Sequence, residues 1–355
     1  MNTHRSDRSR LANLAWSMGP LLGLVLVTLI FGAIEYNVSR GEGRQPQFFT
    51  PESLQVVLNH ASLVGVAALG MTLIIIAGGI DLSAGTAIAL TATSIAWLYR
   101  EGFEEMTLWR ETSPLIATLT LSTIAIAGGL VTGCLCGLIN GGLISLLRLV
   151  PFIVTLGTMT AFQGVGRTIS GETPVRAYGK VPDIIASLQK PYPDPEWLLV
   201  SPGVWIMLIL ALIVALILRY TVFGRHVFAI GSNEATARLC GINVIRTRIL
   251  VYTLAGVFVG VAGLYQFTVL GGEGDPVSGL GLELKVIAAV VIGGGSLSGG
   301  RGSVLGTLSG ACIITVIQHG CVLIGVPDHY QDILIGLIII AAVTIDQLRI
   351  RLQSK

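Results

Sequence analysis

Charged residues are scarce in this sequence. They make up 12% of its 355 residues, whereas 52% are hydrophobic and the mean hydropathy is +0.78. Soluble globular proteins carry about 25% charged residues, so this chain has too few to cover a water-facing exterior. The scarcity excludes an ordinary soluble domain and indicates a membrane protein. The net charge of +2 gives no indication of a nucleic-acid partner.

Motifs for metal, disulfide and catalytic chemistry are missing as well. The five cysteines include no C-x-x-C pair and no histidine has a partner at metal-ligand spacing, which argues against a disulfide framework and a metal site. A phosphate-binding loop needs G-x-x-x-x-G-K-[ST], but the one Gly-Lys pair, at Gly179, is followed by valine. G-x-S-x-G and H-E-x-x-H are also absent. We therefore expect a non-enzymatic protein without metal or cofactor.

Long apolar runs fill the chain instead. A bilayer-spanning helix needs about 20 mostly apolar residues, and the pattern predicts an all-α integral membrane protein with about ten such helices. The expected spans are 17–36, 54–77, 82–99, 114–134, 150–169, 203–220, 248–270, 283–295, 303–325 and 331–347. The eighth is short, and the region 283–302 could enter the membrane and turn back. The apolar segment 135–147, interrupted by Asn140, could extend the fourth helix or break it.

Basic residues predict the orientation of the bundle. The first apolar run follows Arg5, Arg8 and Arg10 and lacks a small-residue cleavage site, so we expect an uncleaved first helix. With the N-terminus inside, thirteen arginines and lysines lie on the cytoplasmic side and seven outside, which is the usual bias. The tails 1–16 and 348–355 are then cytoplasmic and flank a transmembrane domain, 17–347. Its expected external loops are 37–53, 100–113 and 170–202, and its long cytoplasmic loop is 221–247.

The cytoplasmic loop contains a candidate short helix. Asn233 could cap it, an acid follows in its first turn, and Gly241 could end it. Its apolar side, with Leu239 and Ile242, should dock either on its own bundle or on a partner, because burying one such side chain is worth about 1.5–3 kcal/mol. The residues singled out in this helix are Asn233, Glu234, Arg238, Leu239 and Gly241.

Ionisable side chains are nearly absent from the interiors of the predicted spans. Those that come nearest, such as Arg167, Glu283 and Lys285, fall close to span ends. Proton- and sodium-driven transporters commonly use intramembrane carboxylates, so a path without them could be passive or driven by another subunit. Neutral polar groups suit an uncharged, hydroxyl-rich solute, although they could equally bond helices together. The path candidates are Asn59, Asp81, Ser83, Gln163, Gln266, Gln318 and His319.

Asp81 lies in a turn between the second and third spans. Its carboxylate could cap the third helix through the amides of Ser83 and Ala84, or it could contact the solute directly. The turn reads GG-x-[DS]-LS-[AG]-G, and the same pattern returns at Gly293–Gly300. The repetition could come from a duplicated half or from chance similarity in a glycine-rich chain.

Four sequence blocks carry a family resemblance. They are GMTLIIIAGGIDLSAGTAIAL from Gly70, PFIVTLGTMTAFQGVGRTISGETPV from Pro151, GRHVFAIGSNEATARLCGINV from Gly224 and IAAVVIGGGSLSGGRGSVLGT from Ile287. The chain, from about Phe48 to Asp346, resembles the membrane subunits of bacterial ribose, xylose, galactose and autoinducer-2 importers. These are ABC permeases of the branched-chain amino acid and sugar type.

The resemblance implies a fold like that of type II importers in the bacterial cytoplasmic membrane. Two permeases, identical or different, would surround a central path, driven by two cytoplasmic ATPases and supplied with sugar by an external binding protein. The helix at Asn233–Gly241 would match the coupling helix that docks on the ATPase. The external stretches 99–113 and 190–202 look longer than in the family pattern, which leaves the particular sugar open. A branched-chain amino acid permease, a secondary transporter and an intramembrane enzyme are the competing interpretations.

Overall fold

The computed structural model describes residues 3–105, 113–177, 179–191 and 198–353. Of the expected loops and tails, residues 1–2, 106–112, 178, 192–197 and 354–355 lie outside the described residues. The described helices are α1 Thr3–Gly41, α2 Pro51–Ile76, α3 Ala84–Glu105, α4 Pro114–Leu146, α5 Pro151–Ser170, α6 Asp183–Ala186, α7 Pro202–Tyr220, α8 Val222–Ser232, α9 Glu234–Leu239, α10 Val244–Val269, α11 Leu282–Ile292, α12 Val304–Leu323 and α13 Asp328–Gln353. The described strands are β1 Val175–Arg176 and β2 Glu273–Gly274.

The all-α prediction is confirmed, and every predicted span coincides with a helix. Segment 135–147 extends the fourth helix, because α4 continues without a break to Leu146. By length and apolar composition, six described helices can cross a membrane: Gly19–Gly41 of α1, α2, Leu115–Leu146 of α4, α7, α10 and α12. The total of about ten crossings stays a prediction.

The centre of the bundle is built from α2 and α10, with α4 packed closely on α10. Gly137 of α4 faces the backbone of Tyr252 and Gly256 on α10, and a Cβ added there would overlap the Tyr252 carbonyl oxygen. Gly133 meets Gly256 and Gly260 in the same way. The four-residue glycine spacing therefore lets the two backbones touch, as small residues do in membrane helices.

One end of the bundle carries a small two-stranded ribbon, and we call it the ribbon end. There β1 pairs antiparallel with β2, with Val175 opposite Gly274. Between β1 and α7, the described residues 179–191 fold back under the ribbon through α6 and the 3₁₀ turn Ser187–Gln189, and Gln189 is buried. The sequence predicted only a proline-rich loop over 170–202, so this folded cap is a finding of the structure.

At the opposite end three turns meet almost without side chains between them. We call this contact, formed by residues 76–79, 231–232 and 299–300, the glycine junction. The Gly300 amide donates to the Ile76 carbonyl oxygen over 2.8 Å. Gly231 of α8 fits against the same carbonyl so tightly that an added Cβ would overlap it. The two similar GG turns of the sequence therefore lie side by side, and α8 touches both.

The eighth predicted span is a short helix reached by a buried descending segment. After β2 the chain runs along α3, with Gly274 against Thr93 and Gly279 against Gly85. Helix α11 then covers 11 residues, about 16 Å, which is roughly half of a bilayer core. Its end, at Gly293, packs on Gly306 of α12. The segment thus runs from the ribbon end to the glycine junction and does not turn back.

Candidate functional site

The predicted short helix in loop 221–247 exists as α9. The Asn233 side-chain oxygen accepts a hydrogen bond from the Thr236 amide at 2.9 Å, so Asn233 is its N-cap. Gly241 follows with φ of +80°, a left-handed conformation that favours glycine and ends the helix. Helix α8, immediately before it, was not predicted, although its own cap, Thr221, accepts from the Gly224 amide at 3.1 Å and is readable in the sequence.

Two arginines bracket the carboxylate at the start of α9. Glu234 Oε1 accepts from Arg238 Nη2 at 2.5 Å, and its Oε2 accepts from Arg248 Nη2 at 2.6 Å. The hydrogen bond from Arg238, followed by that from Arg248, lowers the pKa of Glu234 below its ordinary value. Since Arg248 belongs to α10, this charge cluster ties the short helix to the bundle. Arg238 is therefore engaged within its own chain.

The apolar side of α9 divides into two parts. Ile242 packs against the small cluster formed by Ile230, Ala237 and Val244, so it docks on its own chain. Leu239 does not, because 89% of its surface is exposed. The expectation that both residues would be buried together is thus met for one residue only. Leu239 is therefore an exposed apolar side chain on the short helix.

A buried polar network surrounds Asp81. Its Oδ1 accepts from the Ser83 amide at 2.8 Å and from Ser83 Oγ at 2.6 Å. Asn140 Nδ2 donates to Ser83 Oγ at 2.8 Å, and Thr158 Oγ1 donates to Asn140 Oδ1 at 2.7 Å. Asp81 thus fixes the turn before α3, and the network joins α3, α4 and α5. The expected bond from the Ala84 amide is not among the hydrogen bonds of the described residues.

Two other path candidates are engaged in holding the ribbon end. Asn59 of α2 donates to the Gln189 carbonyl oxygen at 2.5 Å and accepts from Ser201 Oγ at 2.8 Å. His319 of α12 lies 2.6 Å from Ser53 Oγ, with its Nε2 facing the hydroxyl. These contacts bind the folded cap to α2, and α12 to α2. Both residues therefore have a visible structural role.

Gln266 and Gln318 come together at one cavity of about 150 Å³. Gln266 makes only a long bond, 3.5 Å, from its Nε2 to the Ser278 carbonyl oxygen. The cavity lies between α2, α10, α11 and α12, in the half of the bundle nearer the ribbon. It is lined by His60, Leu63, Val64, Gln266, Val269, Leu282, Lys285, Thr315 and Gln318. Sequence reasoning missed His60 and set Lys285 aside as a span-end residue.

Gln163 lies elsewhere, on α5, where it is half-buried. The neighbouring exposed face of α5 carries Gly157, Thr160, Gly164 and Thr168 together with the exposed Ile153 and Leu156, and nothing lies within 4 Å of a Cβ added at either glycine. By contrast, the exposed face of α7 carries Ile209, Ile213 and three exposed leucines, Leu208, Leu212 and Leu216. The α5 face is thus the more polar of these two outward surfaces. In the described part of the chain, no three His, Cys, Asp or Glu side chains group as metal ligands.

Comparison with known proteins identifies the family. Residues 53–343 match the model for the permease component of the branched-chain amino acid transport system. The chain belongs to this permease family. It is 35% identical to the ribose import permease protein of Escherichia coli strain K12, over 98% of this chain and 99% of that protein. It is 34% identical to the corresponding protein of Bacillus subtilis strain 168, over 93% of this chain and 92% of that one.

Another relative in the family has a different sugar in its name. The fructose import permease protein of Rhizobium meliloti is 34% identical over 92% of this chain and 84% of its own length. No solved structure matches the chain. As a member of this ABC permease family, the chain is a multi-pass membrane protein and a transport subunit rather than an enzyme. Permeases of this kind work with an ATPase and a substrate-binding protein.

Proposed function

We propose that this permease forms the translocation path of an ATP-driven importer for a monosaccharide or a similar small polyol. The observation that carries the proposal is the near-full-length similarity to permeases named for ribose and fructose import. The polar side chains at the cavity support it, because the amides of Gln266 and Gln318 can both donate to and accept from hydroxyl groups.

The short helix α9 is the proposed contact with the ATPase. Leu239 is exposed although its chain offers an apolar cluster one turn away, which favours a partner that covers it. Arg238 stands beside it with roughly half of its side chain exposed and retains free guanidinium donors for a carboxylate of the partner. Asn233 and Gly241 fix where this helix begins and ends.

The orientation follows from the same assignment. With the glycine junction and α9 in the cytoplasm, the ribbon end faces outside and meets the external binding protein. The basic-residue bias of the sequence supports this arrangement. The polar outward face of α5, next to Gln163, is proposed to face a second permease subunit across the path, because threonines and glycines gain little from lipid contact. Because the named relatives are bacterial import permeases, the proposed location is the bacterial cytoplasmic membrane.

A branched-chain amino acid is the second candidate solute. Lys285 at the cavity favours it, since the ammonium group could pair with a carboxylate. An amino acid also carries an ammonium group that needs an acidic partner, and the described residues lining the cavity include no aspartate or glutamate. A sugar therefore matches the polar side chains that line the cavity better than an amino acid does.

Reconstitution tests the proposal. The permease is co-expressed with a candidate ABC ATPase and a candidate sugar-binding protein from the same organism, purified as a complex and placed in liposomes with ATP inside. We expect the ATPase to copurify and labelled D-ribose, D-fructose or L-arabinose to accumulate only with ATP and loaded binding protein. Accumulation of leucine in place of all three sugars would favour the amino acid alternative. Uptake that persists without any copurifying ATPase would reject an ABC importer.

A further inference from the structure

A groove on the outside of the bundle combines apolar walls with one cation. It has a volume of about 440 Å³ and lies between Leu218 and Arg219 of α7, Phe228 of α8 and residues 302–305 at the start of α12. Leu305 and Arg219 are both exposed. Since pockets for organic ligands range from about 300 to 1,000 Å³, the groove has room for part of such a ligand.

Helix α7 places this groove at the surface of the membrane. It is apolar enough to cross a bilayer, and its 19 residues span about 28 Å, close to the roughly 30 Å of a hydrocarbon core. Its ends therefore lie at the two interfaces. Exposed aromatic side chains, Trp205 in the first turn and Tyr220 at the end, mark both interfaces, as aromatic belts do. Arg219, the one charged residue of α7, thus stands level with the lipid head groups.

The chain around the groove is basic and free of acids. Segments 197–233 and 284–327 of the sequence contain no aspartate or glutamate. Arg225 stands one turn before the lining residue of α8, Arg301 immediately precedes the lining segment of α12, and both are exposed. In the described part of the chain, neither they nor Arg219 forms an ion pair. The groove therefore favours an anionic ligand.

The guanidinium group of Arg219 is available to a phosphate. Its Cζ lies over the Tyr220 ring, 5.4 Å from the ring centroid, and such stacking leaves the N–H donors at the edge of the guanidinium free. Guanidinium groups bind phosphates through two parallel hydrogen bonds, and basic clefts between membrane helices bind anionic lipid head groups. One phospholipid matches both parts of the groove, with its phosphate at Arg219 and an acyl chain on the apolar walls.

A second groove of similar size lacks such a cation. It has a volume of about 430 Å³, lies between α1, α2 and α12, and is lined by no charged side chain. Leu54 is among its lining residues. This groove offers an apolar surface to lipid tails and no charge to a head group. The comparison indicates that Arg219, rather than the size of the groove, selects the ligand of the first groove.

We propose that the groove at Arg219 binds one anionic phospholipid. Its phosphate pairs with the Arg219 guanidinium, and its acyl chain packs along Leu218, Phe228 and Leu305. Since the groove joins α7 to α8 and α12, the bound lipid holds α8 against the bundle beside the glycine junction. In the orientation proposed above, the lipid belongs to the inner leaflet. The site itself depends neither on that orientation nor on the transported solute.

Quenching of tryptophan fluorescence by brominated lipids tests this site. The native tryptophans are replaced by phenylalanine; Leu305→Trp then reports on the groove and Leu54→Trp, also exposed, on the uncharged groove. The permease alone is placed in vesicles of phosphatidylcholine and phosphatidylglycerol, with only one of the two lipids brominated. At position 305, brominated phosphatidylglycerol should quench more strongly than its share of the vesicle predicts, and at position 54 in proportion to that share. Adding Arg219→Gln should weaken the preference at 305 about fivefold, the effect of losing about 1 kcal/mol per arginine near a membrane surface.

Two further variants separate the site from general surface charge. Arg246→Gln is the matched control, because this exposed arginine of α10 also forms no ion pair within the described residues, and it should keep the preference. Arg219→Lys retains the charge and should recover most of it. Equal losses in Arg219→Gln and Arg246→Gln, or quenching at 305 in proportion to lipid content, would overturn the site.

The remaining outcomes are equally decisive. Quenching at position 305 by neither lipid would show that protein, such as a second copy of the chain, covers the groove, and the proposal would fail. Native mass spectrometry gives a readout without introduced tryptophans: the wild-type chain should retain one more phosphatidylglycerol than Arg219→Gln. Equal numbers of retained lipids in the two proteins would also reject the site.

Discussion

The guanidinium of Arg248 lies 2.6 Å from the carboxylate of Glu234, across the gap between α10 and α9. Arg248 stands in the second turn of a long bundle helix, and Glu234 opens the short helix that carries Leu239. The pair therefore fixes the short helix to the bundle at its first residue. Any force on α9 reaches α10 directly through this contact.

The first prediction concerns pH. Because Arg238 and Arg248 lower the pKa of Glu234 in the folded chain, the carboxylate stabilises α9 at every pH above its unfolded pKa of about 4.3. The contribution is lost as the pH falls through the lower, folded value. Protection from hydrogen exchange over residues 233–243, measured against the intrinsic exchange rate at the same pH, should be high at neutral pH and fall on acidification. In Glu234→Gln this protection should be low throughout, and a wild-type profile for this variant would refute the role of the charge cluster.

The second prediction concerns the exposed leucine of α9. Leu239→Ala should leave the isolated permease as stable as wild type, because the side chain contacts little of its own chain. It should weaken binding of the ATPase by about 1.5–3 kcal/mol, the value of one buried leucine. Surface plasmon resonance with the purified ATPase measures this. Leu212→Ala, exposed on α7, serves as the control, and equal affinities for the two variants would withdraw α9 as the coupling contact.

The third prediction concerns the network around Asp81. Asp81→Ala removes the acceptor for the amide and hydroxyl of Ser83, and each buried group left without a partner costs about 1–3 kcal/mol. Asp81→Asn keeps an acceptor oxygen and should lose less. Asn140→Leu should destabilise the chain comparably, since it removes the amide that donates to Ser83 Oγ at 2.8 Å and leaves Thr158 Oγ1 with only its 3.3 Å bond to the Thr155 carbonyl oxygen. Thermal unfolding in detergent ranks the three variants; normal stability of Asp81→Ala with abolished transport would point to a direct solute contact.

The fourth prediction concerns the contact between α4 and α10. In Gly137→Ala the new methyl group meets the Tyr252 carbonyl oxygen, so the helices must separate, at a cost of about 1–3 kcal/mol for overpacking. Gly142→Ala, on the same helix, has open space at its Cβ and should be neutral or slightly stabilising. A lower unfolding temperature for the first variant alone is the expected result. Equal temperatures would show that the backbones do not touch there.

The fifth prediction concerns orientation. In a chain without its native cysteines, Gly179→Cys near the ribbon should react with an impermeant maleimide added to intact cells. Ser232→Cys, at an exposed position of the glycine junction, should react only after the membrane is opened. Reversed labelling would invert the proposed topology and remove α9 from the cytoplasm.

The helices were predictable because hydropathy is a local signal, and the cap of α9 was predictable because Asn233 and Gly241 act within a few residues. The ribbon was not, since Val175 pairs with Gly274 almost a hundred positions later and two residues carry no strand pattern. Asn140 was read only as an interruption, although its partners Ser83 and Thr158 allow an amide to remain inside α4. Lys285 was expected near the end of a span, and it stands in the first turn of α11.

The glycine junction has a mechanical consequence. Where Gly231 meets Ile76 and Gly300, main chain lies directly on main chain, and no side chain stands between them that could change rotamer and absorb a displacement. Movement of α8 by even a fraction of an ångström must therefore shift the end of α2 and the turn before α12 together. The junction acts as a stiff pivot, which turns a push on one short segment into a tilt of two long helices.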